Sequence, residues 1–188
     1  MKALPTDYRL AFRLDLIHNK KQLRLITALS LGLLALLILP AALTRPLGDT
    51  FAQLWPVKVM GLAAGIILYI PLHELVHALF MKLFGCEKVR FGFKLMYAYA
   101  GCDEFFYKWP YLIIALAPVV LWGGVLWALA CLLPGWFWVV YGVQLLNLSG
   151  AAGDIYVTCR LIRRSPSCLV RDSGTAMLVF EKTSREAR

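Results

Sequence analysis

The sequence predicts an all-α membrane protein of about four transmembrane helices, with a short cytosolic β-hairpin between the second and the third. Three observations lead there. Of the 188 residues 60% are hydrophobic and only 16% charged, where a soluble domain carries roughly 25% charged residues. The apolar residues collect in long blocks, four of which are long enough to span a bilayer. One segment between blocks alternates instead with period two. The length suits a single polytopic domain, with spans at about 25–43, 57–84, 109–133 and 136–162 and a cytosolic tail at 163–188.

Residues 1–24 are polar to amphipathic, with Tyr8, Leu10, Phe12, Leu16 and Ile17 interleaved with Arg9, Arg13 and Asp15, and fit a cytosolic interfacial segment. The first span ends in the turn-rich stretch 44–49. The second is closed by Gly85, a helix stop, and holds Pro71, which frees the carbonyl of Ile67. After it Val89, Phe91, Phe93 and Leu95 alternate with Arg90, Gly92, Lys94 and Met96, the pattern of a strand, and residues 97–101 can form the return arm. Pro118 interrupts the third span, Gly123 and Gly124 soften it, and Pro134 and Gly135 turn the chain into the fourth.

The formal charge of +9 does not form a basic face with interleaved aromatics, so nucleic acid is not the expected partner. The cations flank the apolar blocks. With both termini in the cytosol, Lys2, Arg9, Arg13, Lys20, Lys21 and Arg24, the hairpin cations and the basic tail all lie inside, which satisfies the positive-inside rule for an inner membrane. Trp55, Trp109, Trp136 and Trp138 fall near span ends, where aromatic belts form. The five cysteines include no Cys-x-x-Cys and read as reduced thiols. Cys86 and Cys102 bracket one loop and are the candidates for a metal or a pairing. Gly61 and Gly65 can pack helices closely, between subunits or within one, and the oligomeric state is open.

The second span carries His73-Glu74-Leu75-Val76-His77, which uses two of the three histidines. On a helix the two imidazoles at i and i+4 share a face and can reach one zinc ion, while Glu74 adjoins the position of an activated water as general base and acid. Ionisable groups inside a bilayer are costly and point to function. His18 has no such company and reads as a surface residue.

A catalytic zinc needs a third protein ligand. Asp154 is the acidic residue of the other spans, on a stripe with Gln144, Asn147 and Ala151. It and His77 each lie roughly 10 to 12 Å inside the cytosolic boundary. Its alternative is a carboxylate paired with Arg160 or Lys82, and Cys159 is a weaker ligand candidate. Asn147 can serve a substrate carbonyl or oxyanion, or bind a neighbouring helix. Asp172 and Gly174 read as a turn without chemistry.

The motif, the amphipathic strand region after it and the later Asn147-Leu148-Ser149-Gly150-Ala151-Ala152-Gly153-Asp154 resemble a bacterial family described as putative zincin peptidases, itself similar to the site-two intramembrane proteases. The resemblance covers about residues 55–180. It implies zinc held by His73, His77 and Asp154, with Glu74 as general base and acid, and a membrane protein or peptide as substrate. It also gives residues 89–100, Phe91 and Phe93 among them, a role in holding an extended substrate by strand addition. The chain lacks the Asn-x-x-Pro of the site-two pattern, and Ile155 rather than glycine follows Asp154. The expected function is intramembrane zinc proteolysis. The alternatives are a catalytically silent, metal-binding membrane scaffold that retains partner proteins, and, disfavoured by the few spans, a small transporter.

Overall fold

The computed structural model describes residues 1, 3–15, 19–45, 55–94 and 97–183. Lys2, Leu16, Ile17, His18, the turn residues 46–49, and Leu95 and Met96 of the expected hairpin lie outside the described residues. The chain runs β1 (Tyr8–Asp15), α1 (Lys20–Thr44), α2 (Trp55–Leu83), β2 (Arg90–Lys94), β3 (Tyr97–Gly101), β4 (Phe105–Tyr107), α3 (Lys108–Leu132), a 3-10 turn (Pro134–Trp136), α4 (Phe137–Gly150), α5 (Ala152–Ile162), β5 (Leu169–Asp172) and β6 (Ala176–Lys182).

The all-α expectation is overturned. Beside the expected β2–β3 hairpin stands a four-stranded antiparallel sheet in the order β1-β6-β5-β4. The supposed interfacial segment supplies β1 and the supposed tail β5 and β6: Tyr8 pairs with Lys182 and Asp15 with Ala176, with a bulge at Ala11 between them. The physical reason is period-two patterning at both chain ends. Met177 and Val179 turn inward from β6, where they are fully buried, while their neighbours stay partly exposed. The other correction concerns the fourth span, which is two shorter helices meeting at Ala151, so α1, α2 and α3 are the helices long and apolar enough to cross a membrane among the described residues.

Those three helices carry their apolar side chains outward. Leu36, Leu43, Met60, Ile67, Val120 and Leu132 are each two-thirds exposed or more, an arrangement that water would penalise and hydrocarbon would not. Inward, one core joins helices to sheet through Met81, Ile114, Val157, Leu161, Val170 and Val179. Lys108, at the start of α3, donates to the carbonyls of Ile162 and Arg164 at 2.8 and 2.7 Å, which caps the C-terminus of α5 with a positive charge. Gly61 and Gly65 face Trp136 and Val143 of the same chain.

The end of α2 and the hairpin are positioned together. Gly85 takes φ +93°, and the amides of Gly85 and Cys86 return to the carbonyls of Lys82 and Met81, the double bond of a Schellman stop. Cys86, expected as a reduced thiol, is joined to Cys102 by a disulfide, because the chain leaving α2 and the chain leaving β3 meet there. A side chain at Gly101 would collide with the Ser173 backbone 2.4 Å away, so the hairpin seats directly on the β5–β6 turn. Asp103 bridges the two sheets through Arg171 at 2.9 Å and Arg90 at 2.7 Å, and these guanidiniums, Arg171 first, hold its carboxyl below the usual carboxylate range.

Cysteines placed at the paired positions Arg9 and Glu181 should cross-link under mild oxidation, since opposed strand residues lie about 4.5 to 5.5 Å apart. Peptide mapping reads the bond. Failure to cross-link would reject a sheet built from both chain ends.

Candidate metal centre

His73 and His77 lie one turn apart on α2 with ring centroids 4.9 Å apart, and α2 continues as a helix through Pro71. Asp154 comes from the first turn of α5, just after the break at Ala151, where the helix N-terminus favours a carboxylate. Nε2 of His73 lies 3.5 Å and Nε2 of His77 3.7 Å from Oδ2 of Asp154. Arg160 sits instead over the Phe12 ring and Lys82 donates to the Glu87 carbonyl, while Cys159 is exposed.

The outer ring nitrogens fix the tautomers. Nδ1 of His77 lies 2.9 Å from the carbonyl oxygen of Ile114, which can only accept, so Nδ1 carries the proton. That carbonyl is available because Pro118, four residues on, has no amide to offer it. Nδ1 of His73 lies 2.6 Å from the Tyr69 hydroxyl, which donates at 2.8 Å to Oδ1 of Asn147. Having spent its one proton on Asn147, the hydroxyl accepts from His73. Asn147 is itself fully buried, its Nδ2 donating to the carbonyl of Val119 and to Oε1 of Gln144. In the neutral rings Nε2 is then the bare nitrogen, and both Nε2 atoms face one carboxylate oxygen.

Two imidazole nitrogens and a carboxylate oxygen facing one another in a half-buried place fit a cation. Ligand atoms around a tetrahedral zinc at 2.0 to 2.2 Å stand about 3.3 to 3.5 Å apart, close to the separations present, and these three side chains group within metal-binding range. Glu74 stands beside them, its Oε2 accepting from the amide of Ala100 at 2.7 Å, so the outward edge of β3 reaches the motif helix.

All four open onto a cavity of about 600 Å³ walled by α1, α2, α3, α5, the hairpin and the β5–β6 turn. Phe93, Ala98, Tyr99 and Ala100 contribute to its wall, and Phe91, though exposed, does not. Sequence reasoning passed over Tyr69 and the Ile114 carbonyl that Pro118 frees, and read Asp172 as part of a turn without chemistry. The last lines the cavity and accepts from the Tyr111 hydroxyl and the Gly174 amide, and burial pushes its carboxyl pKa up. A signal for Ile114 was present, since a proline in a span always frees the carbonyl four residues before it; the others needed tertiary structure.

No curated protein and no solved structure matches the chain. A family model described as "Putative zincin peptidase" matches residues 66–169, more than half of the chain and a range that contains both histidines, Glu74, Asn147 and Asp154. On that match the chain belongs to the family of putative zincin peptidases.

Proposed function

We propose that the chain is an intramembrane zinc metalloprotease that hydrolyses peptide bonds of membrane-associated substrates, with His73, His77 and Asp154 holding the metal and Glu74 moving the proton. The observation that carries this reading is the convergence of two imidazole Nε2 atoms on one carboxylate oxygen, with a second carboxylate alongside. When bound, zinc supplies the Lewis acidity that activates water and polarises a carbonyl. Glu74 takes the proton of the attacking water and passes it to the leaving amine. The Ala100 amide holds Oε2 of Glu74, which orients the carboxylate, and the other oxygen carries the proton.

The outward edge of β3 supports strand addition by an extended substrate, with Phe93 at the cavity wall and Phe91 further out on the exposed face of the same hairpin. Tyr69, Asn147 and the Ile114 carbonyl keep the rings in their ligating tautomers, the role that outer hydrogen-bond partners play at zinc histidines. In this reading Asn147 acts through Tyr69 and His73. The protein sits in the inner membrane with both termini and the hairpin on the cytosolic side, α4 and α5 together returning the chain there, a placement that the distribution of lysine and arginine supports.

Purified in detergent, the wild type should carry zinc, and His73→Ala and Asp154→Ala should lose it. Glu74→Gln should keep the metal and lower turnover of a membrane-anchored peptide by about 10² to 10⁴. Full turnover by Glu74→Gln would reject its role, and bound zinc with no turnover by the wild type on any anchored peptide would favour a silent scaffold. Pro118→Ala restores an amide that competes for the Ile114 carbonyl, and Tyr69→Phe removes the acceptor of His73. Each should weaken zinc affinity roughly 10- to 100-fold, read by competition with a chromophoric chelator, and unchanged affinity would dismiss the orienting role.

A further inference from the structure

We propose that Cys86, Cys102 and Glu104, once the cysteines are reduced, form a second site for a thiophilic divalent metal, separate from the histidine centre. Cys86 follows the stop of α2, Cys102 follows β3, and both are buried, at 3% and 0% exposure. Oε2 of Glu104 lies 2.6 Å from the sulfur of Cys102 and 3.4 Å from that of Cys86, while Oε1 accepts from the Glu87 amide at 3.4 Å. The sulfurs of a disulfide carry no proton to donate, so this carboxylate oxygen is aimed at two atoms that cannot satisfy it in the oxidised chain.

Reduction changes what the cluster can bind. Two thiolates and a carboxylate in one buried place repel one another, and a divalent cation relieves the repulsion. The three ligand atoms lie within 4.8 Å of one another. A zinc with bonds of about 2.3 Å to sulfur and about 2.0 to 2.2 Å to oxygen needs S···O near 3.5 Å and S···S near 3.8 Å. Cys86 and Glu104 already stand near that separation, and rotation about the two Cα–Cβ bonds opens the sulfurs across Cα atoms 6.4 Å apart. Glu104 is half-buried, which leaves solvent a path to the fourth position.

The chemistry balances with a dithiol reductant of the cytosolic kind. It supplies two electrons and two protons and leaves as its own disulfide, while Cys86 and Cys102 become thiols. Metal binding then displaces their two protons to solvent. The cytosolic placement proposed above puts the cluster where disulfides are kept reduced. Bound metal would take over the tie between α2 and the hairpin, and so keep the Ala100 amide against Glu74.

The test is cadmium titration of the full chain in detergent, reduced by a dithiol and desalted without oxygen, in a His73→Ala/His77→Ala background that disables the first centre. Reduced protein should bind about one cadmium with an ultraviolet thiolate-to-cadmium charge-transfer band, and the disulfide form should show none. Cys86→Ser or Cys102→Ser should abolish the band, and Glu104→Gln should weaken binding by about tenfold or more. The unaltered chain gives a check free of substitutions at the histidines, because reduction alone should produce the same band. Absence of the band in both reduced proteins, or its persistence in Cys102→Ser through the remaining cysteines, overturns the proposal. The charge-transfer band reports sulfur alone, so the histidine centre and this site can fail independently.

Discussion

Two imidazoles and a carboxylate brought together inside an apolar bundle carry a desolvation cost that a shared cation offsets. His73, His77 and Asp154 meet in this way, and much of the local architecture serves the meeting. The fourth apolar block is broken at Ala151 so that Asp154 occupies the first turn of α5, where the helix dipole favours a carboxylate. α3 carries Pro118, whose missing amide leaves the Ile114 carbonyl for His77. α4 brings Asn147, which satisfies Tyr69 and through it fixes His73. Each of these would be a defect in a helix bundle built for stability alone, and each has a partner here.

The sheet and the hairpin convert this buried cluster into a site with walls. α2 would otherwise present Glu74 to whatever surrounds the helices. The hairpin, fixed to α2 by the Cys86–Cys102 link and to the sheet by Asp103 between Arg90 and Arg171, brings the Ala100 amide onto that carboxylate. The β5–β6 turn closes another side of the cavity with Asp172, Gly174 and Thr175. Lys108 at the C-terminus of α5 locks the helix that bears Asp154 against the helix that bears Ile114. Chain ends far apart in sequence thus buttress a centre formed by the middle of the chain.

Much of the candidate site was legible in the sequence because ionisable residues within apolar blocks are few. His73, Glu74 and His77 declare themselves by spacing, and Asp154 by being the acid in the remaining blocks. The hairpin was legible from Phe91 and Phe93 alternating with Gly92 and Lys94. The larger sheet was not, since β4 and β5 have three and four residues and β1 finds its partner only at the other end of the chain. Nor was the division of the fourth block, because residues 148–152 stay apolar or small through the break and hydropathy passes over it. The supporting hydrogen bonds were hidden for another reason: a proline tells which carbonyl is free, but only packing tells which histidine will use it.

Zinc K-edge X-ray absorption on the disulfide-form wild type decides whether His73, His77 and Asp154 hold zinc, since the cysteine cluster is then closed to metal. The expected result is one zinc per chain with two imidazole nitrogens and carboxylate oxygen near 2.0 to 2.2 Å and no sulfur in the shell. A chain free of stoichiometric zinc, or a shell that contains sulfur, would contradict it.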